Sequence, residues 1–118
     1  VKILNFQENP YKFINKSDIF VLSSKYEGLP NVLLEAAVLK KFIISSNCPT
    51  GPKEILLNGK GGALFKVGDF DDLAKKIIKF KKNQKIVRKK ILLNYKNLHR
   101  FDYFLNIEKY FDLVKKYV

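Results

Sequence analysis

Two carboxylates, Glu27 and Glu35, flank the segment Gly28-Leu29-Pro30-Asn31-Val32. Gly28 lets a backbone come close to a ligand, and Pro30 suits the first turn of a helix, where its missing N–H costs nothing. A helix start presents free N–H groups and the positive end of a dipole, which attract phosphate. Glu35 follows five residues after Pro30, roughly 7 Å along a helix axis at 1.5 Å per residue. Its surroundings are apolar, so its charge is costly unless donors reach it. A nucleoside diphosphate-sugar fits this layout: the diphosphate would face the amides, and sugar and ribose hydroxyls would each donate to a carboxylate. On spacing alone a simpler reading ranks slightly ahead, with Glu27 exposed in a loop and Glu35 paired with a buried lysine or amide. Other chemistries have little to work with. His99 is the only histidine and lies in a basic, helical stretch, so a Ser-His or Cys-His nucleophile is disfavoured. The single Cys48 excludes an internal disulfide framework and a cysteine-cluster metal site.

The elements that must position this segment alternate. Val1 to Phe6 reads as a strand, Tyr11 to Lys16 as a short helix, and Asp18 to Ser23 as a strand buried on both faces. Pro30 to about Lys40 predicts a helix apolar nearly all round and therefore buried. Lys41 to Ser46 predicts a strand, Pro52 to Leu57 a short helix, and Ala63 to Val67 a further strand. Asp69 is a plausible N-cap for a helix carrying Leu73, Ile77 and Phe80. Helices follow over roughly Lys85 to Leu98 and from about Asp102, the latter with Phe104, Ile107, Phe111 and Val114 on one face. Strands alternating with helices predict an α/β fold, a partial Rossmann-like doubly wound parallel sheet of about four strands with C-terminal helices over residues 70–118. In such sheets ligands bind at the carboxyl ends of strands, and the Glu27 loop follows one.

The 118 residues are 47% hydrophobic, which excludes a disordered chain and suits one domain at most. No apolar stretch approaches the roughly 18 residues of a membrane span. The chain has no methionine and opens directly in an apolar run, so the expectation is a fragment of a longer protein. Its net charge of +12 is uneven: residues 73–107 carry +10, the 72 residues before them +1 and the last eleven +1. A basic helical stretch could meet an anionic membrane or a nucleic acid. Lysine outnumbers arginine 21 to 2, whereas phosphate recognition favours arginine's planar fork. A solvated face therefore ranks first, peripheral membrane contact through residues 75–100 second, and nucleic acid a distant third, so no nucleic-acid partner is expected.

The stretch SDIFVLSSKYEGLPNVLLE, which ends at Glu35, closely resembles the donor-binding core of the family 4 glycosyltransferases (glycosyl transferases group 1), enzymes of GT-B fold. Their hallmark is two glutamates separated by seven residues, matched by Glu27 and Glu35 within Tyr-Glu-Gly-Leu-Pro-Asn and Leu-Leu-Glu-Ala. The likeness continues through Asn47-Cys48-Pro49-Thr50-Gly51-Pro52-Lys53-Glu54-Ile55, through Gly62 to Asp69, and to Arg100-Phe101. It implies that residues 1–118 are the C-terminal part of a nucleotide-sugar-binding domain. The parent would transfer a hexosyl or N-acetylhexosaminyl group, with retention, from a nucleotide-diphosphate-sugar to a glycan or lipid-linked acceptor. The donor would be a UDP-sugar in preference to a guanosine one, with no metal and no other cofactor. By resemblance Glu27 is the catalytic residue and contacts hydroxyls of the transferred sugar. The backbone of Gly28, Leu29 and Pro30 lies along sugar and diphosphate, Asn31 and Val32 face phosphate, and Glu35 holds the ribose. A front-face mechanism is favoured over a nucleophilic Glu27. The resemblance further implies polysaccharide biosynthesis in the cytoplasm, at the membrane face, with an N-terminal acceptor domain in the same parent chain.

There are departures. The family's first strand often reads Val-x-Phe-Leu-Gly, where this chain has Val1-Lys2-Ile3-Leu4-Asn5. The family's Arg and Lys that clamp the diphosphate come from a part of the domain earlier than Val1, and Lys25 and Lys53 do not map onto them. The alternative reading is a basic membrane- or polyanion-binding α/β module without catalysis.

Overall fold

A computed structural model describes residues 1–116. Its centre is the strand β2 (Phe42–Ser46), every residue of which is buried. Strand β1 (Ile19–Leu22) lies parallel on one side, with Ile19 opposite Phe42, and β3 (Ala63–Phe65) lies parallel on the other, with Ala63 opposite Ile44. Side chains alternate across a strand, and β2 uses both faces. Ile43 joins Ile14 of α1 (Tyr11–Lys16), Leu33, Ala36 and Ala37 of α2 (Asn31–Val38), and Ile55 of α3 (Pro52–Ile55) with the adjacent Leu56. Phe42 and Ile44 join Phe65, Val87 of α5 (Gln84–Lys96), and Leu73, Ile77 and Phe80 of α4 (Phe70–Lys82). The Phe42 and Phe80 rings lie 5.5 Å apart. Each fully buried aliphatic side chain contributes about 1.5–3 kcal/mol, so the doubly wound layering follows from a strand that is apolar on both faces.

The expected fourth strand is absent among the described residues. Val1 to Phe6 is exposed and joins no ladder, and the outer edge of β1 is left free.

Helix limits shift in instructive ways. Pro30 is the extended N-cap of α2 and not part of its first turn (ψ 92). The helix stops at Val38, and Lys40 takes a left-handed conformation (φ 54). There its N–H bonds the Ala37 carbonyl, while the Lys41 N–H bonds that of Ala36, a Schellman closure. The helix buries one face and not its whole surface, since Val38 is 58% exposed. The Pro52 helix ends at Ile55 and continues as a 3₁₀ turn over Leu57–Gly59. Asp69 caps α4 as expected, accepting from the Asp72 N–H at 2.9 Å. A 3₁₀ turn over Leu98–Phe101 leads into α6 (Tyr103–Lys115). Phe104 and Val114 are exposed there, and the side chain of Phe111 lies outside the described residues.

Candidate functional site

At their carboxyl ends β1 and β2 release two loops, residues 23–30 and 47–51, that lie against each other. Ser46, fully buried at the end of β2, donates its hydroxyl to the Ser24 carbonyl at 2.6 Å. Ser24 in turn donates its own hydroxyl to Oε1 of Glu27 at 2.6 Å. The Thr50 hydroxyl donates to the Glu27 carbonyl. Gly51 sits at φ +90, and a Cβ there would meet Pro30 Cδ at 2.3 Å and the Gly28 carbonyl at 2.6 Å. Glu27 is therefore half-buried and held by side chain and backbone, contrary to the reading of a loosely exposed loop acid.

Gly28 and Leu29 are exposed beside it, and Pro30 is buried. The Leu33 N–H bonds the Pro30 carbonyl at 2.9 Å, and no side chain caps the helix. The first two amides of α2, those of Asn31 and Val32, are the orphan donors of a helix start, and no acid in the first turn offsets their partial positive charge. Glu35, one turn further on, is half-buried. Among the described residues its side chain meets one donor, the Tyr11 hydroxyl, at 3.5 Å, which is long for an O–H···O bond. No lysine or amide pairs with it there.

Thus Glu27, Gly28, Leu29, Pro30, Asn31, Val32 and Glu35 follow one another from the loop after β1 onto α2, all but the buried Pro30 at least partly exposed. A depression of 340 Å³ lined by Pro49, Thr50, Gly51, Lys53, Glu54 and Asn58 includes the two residues that touch the Glu27 loop. Lys53 brings a cation to it, and Lys25 is exposed within the Glu27 loop itself. A separate cavity of 190 Å³ lies between α4 and α5 against Phe42 and Ala63, the first residues of their strands, and so at the opposite end of the sheet. His99 is exposed on the turn before α6, with Nδ1 3.0 Å from the Lys96 carbonyl. Sequence reading missed Ser24, Thr50 and Tyr11. Ser24 had a local signal, a hydroxyl three residues before an acid. Thr50 and Tyr11 meet their partners across 23 and 24 residues, and no local pattern encodes that.

Comparison with known proteins identifies the family. The family described as glycosyl transferases group 1 matches residues 1–98. An uncharacterized glycosyltransferase of Methanocaldococcus jannaschii is 52% identical over 56 residues, covering 48% of this chain and 14% of the relative. A capsular polysaccharide biosynthesis glycosyltransferase of Staphylococcus aureus is 34% identical over 79 residues, covering 67% of this chain and 20% of the relative. The chain thus spans about a fifth or less of these relatives' length. Among solved structures, S. aureus TarM, crystallised as a mutant with Fondaparinux, alpha-GlcNAc-glycerol and UDP, superposes with a TM-score of 0.77 at 23% identity, covering 88% of this chain and 21% of that one. The family match spans most of the chain and the sheet and helices follow the GT-B glycosyltransferase fold, so the chain belongs to the glycosyl transferases group 1 family.

Proposed function

We propose that this chain supplies the carboxyl-terminal part of the donor site in a retaining glycosyltransferase whose donor is a nucleotide-diphosphate-sugar. The observation that carries the reading is the uncapped start of α2 between two half-buried carboxylates, one of them clasped by Ser24. UDP in the structurally similar TarM complex makes a uridine donor the first to test.

In this reading Glu27 is the catalytic residue, and its free carboxylate oxygen accepts hydroxyl hydrogens of the transferred sugar. The exposed backbone of Gly28 and Leu29, with Pro30, lies along the sugar and diphosphate. The Asn31 and Val32 amides face phosphate, and Glu35 accepts from the ribose. The bond between the anomeric carbon and the diphosphate oxygen breaks while the acceptor oxygen bonds the same face of that carbon. The acceptor's proton passes to the departing diphosphate. Charge grows on that leaving group, so fixed amide dipoles at the helix start lower the barrier most. No step needs a metal or another cofactor. The acceptor would be a glycan or lipid-linked sugar, held by an N-terminal domain of the parent, and the transferred group a hexosyl or N-acetylhexosaminyl unit. Cytoplasmic placement, at the membrane face, is part of the same proposal.

The test is transfer by the full-length parent carrying Glu27→Ala or Glu35→Ala. The first should lose about 10²-fold or more in kcat, the scale of losing a group that orients the reacting sugar. The second should weaken nucleotide binding about 10- to 150-fold, the equivalent of one charged hydrogen bond. Wild-type rates in both variants would sink the assignment.

A second surface supports a membrane contact by the same parent. Ile78 and Ile86, 55% and 51% exposed, stand among the exposed Lys75, Lys79, Lys82, Lys85, Arg88 and Lys89 on α4 and α5. Apolar side chains set among cations suit the interface of an anionic bilayer.

A further inference from the structure

We infer that Ser24 is a positioning residue that fixes the Glu27 carboxylate for the transferred sugar, an inference that rests on the donor-site reading above. A glutamate on an exposed loop samples many rotamers, and an acid that must meet a sugar hydroxyl gains from having one. Ser24 supplies the restraint through its 2.6 Å bond to Oε1. Among the described residues Oε2 has no protein partner, so one oxygen is tied and one is left to accept from a ligand.

The restraint is referred back to the buried central strand. Ser46, at 0% exposure in the central strand, fixes the Ser24 carbonyl at 2.6 Å. Thr50, from the loop after the same strand, fixes the Glu27 carbonyl. Gly51 packs beneath Gly28 and Pro30, where no larger residue fits. Side chain and backbone of Glu27 are both set by β2, although neither belongs to it. In this arrangement the Ser24 hydroxyl hydrogen is committed to Glu27 and is not free to donate to a ligand.

The test uses the full-length parent with Ser24→Ala, Ser24→Thr, Glu27→Ala and the Ser24→Ala/Glu27→Ala double variant. Steady-state transfer is measured along with product inhibition by the nucleoside diphosphate. Ser24→Ala should lower kcat about 10- to 100-fold, the scale of a small misplacement of a reacting group. Inhibition by the nucleoside diphosphate should not change, because it reports α2 and Glu35 and not the sugar pocket. Ser24→Thr keeps the hydroxyl and should recover most of the rate. The double variant should be no slower than Glu27→Ala alone, as expected when one residue acts only through the other. Four results overturn the inference while leaving the donor site standing: full activity in Ser24→Ala beside an impaired Glu27→Ala, multiplying losses in the double variant, weakened nucleoside diphosphate inhibition in Ser24→Ala, or no recovery in Ser24→Thr. Full activity in Glu27→Ala removes instead the catalytic role of Glu27 on which the inference rests.

Discussion

Lys90 carries a charge whose role differs from that of its neighbours. From α5 it donates to the carbonyls of Gly59 and Gly62, both at 2.8 Å, and so ties the loop before β3 to the helix layer. Burial, with Lys79 and Lys76 close by, pushes its ammonium below the ordinary 10.5. The unfolded chain then holds that proton more tightly than the native one. Between the depressed native value and 10.5, unfolding takes up a proton, and native stability rises with pH across that window. Lys90→Met keeps the apolar stem and removes the titration. Urea midpoints of wild type minus those of Lys90→Met should therefore climb as pH rises towards 10.5. A difference that stays flat or falls would contradict the shift. Nothing in the sequence distinguishes Lys90 from the lysines around it, because the carbonyls it bonds lie about thirty residues away. Glu27 and Glu35 were legible for the opposite reason: both they and the helix start between them lie in one short segment. Their restraints were only half legible, with Ser24 in that segment and Thr50 outside it.

Among the elements, what could be read were the ones whose energetics are local or strongly periodic. β2 opens with Phe42, Ile43 and Ile44, which pack into the clusters on both faces, and α4 announces itself by Asp69 and the Leu73, Ile77, Phe80 stripe. Asp69→Ala should cost about 1 kcal/mol, the usual loss for a bonded N-cap, read as a shift in urea midpoint without a change in slope. The first six residues have an apolar pattern too, but a strand is completed by a neighbour, and none stands on the outer edge of β1 among the described residues. Loop contacts are legible in composition only. Gly51 reads as a turn residue, whereas in the fold it is also the spacer that lets the 47–51 loop pass under Pro30. Gly51→Ala meets both a positive φ and a Cβ overlap, so it should destabilise by more than about 1 kcal/mol. In the parent it should also impair donor use, because relief of the overlap must move Gly28 or Pro30. A variant of unchanged stability and transfer would show that these loops are not coupled.

At the scale of the molecule, charge and chemistry are separated. The Glu27–Glu35 segment, the proposed donor site, lies at the carboxyl ends of the strands, while the +10 of residues 73–107 sits mainly on α4 and α5, whose cavity opens at the amino ends. That basic surface therefore adds little to binding a diphosphate and must be explained as a solvated face or as a contact with something anionic. Among the described residues no helix is long and apolar enough to cross a membrane, so any lipid contact through them would be peripheral. Such contact draws about 1 kcal/mol from each lysine or arginine near an anionic surface and fades as the Debye length shrinks from about 10 Å at 0.1 M salt to about 3 Å at 1 M. The protein should pellet with vesicles containing phosphatidylglycerol at low salt, not with pure phosphatidylcholine, and should be released as salt rises. Reversing Lys79, Lys82, Lys85 and Lys89 together should abolish pelleting while leaving nucleoside diphosphate binding by the parent unchanged, because none of the four belongs to the donor surface. If the reversed protein pellets like wild type, or if neither pellets, the lysines form a solvated face and the parent reaches its acceptor by other surfaces.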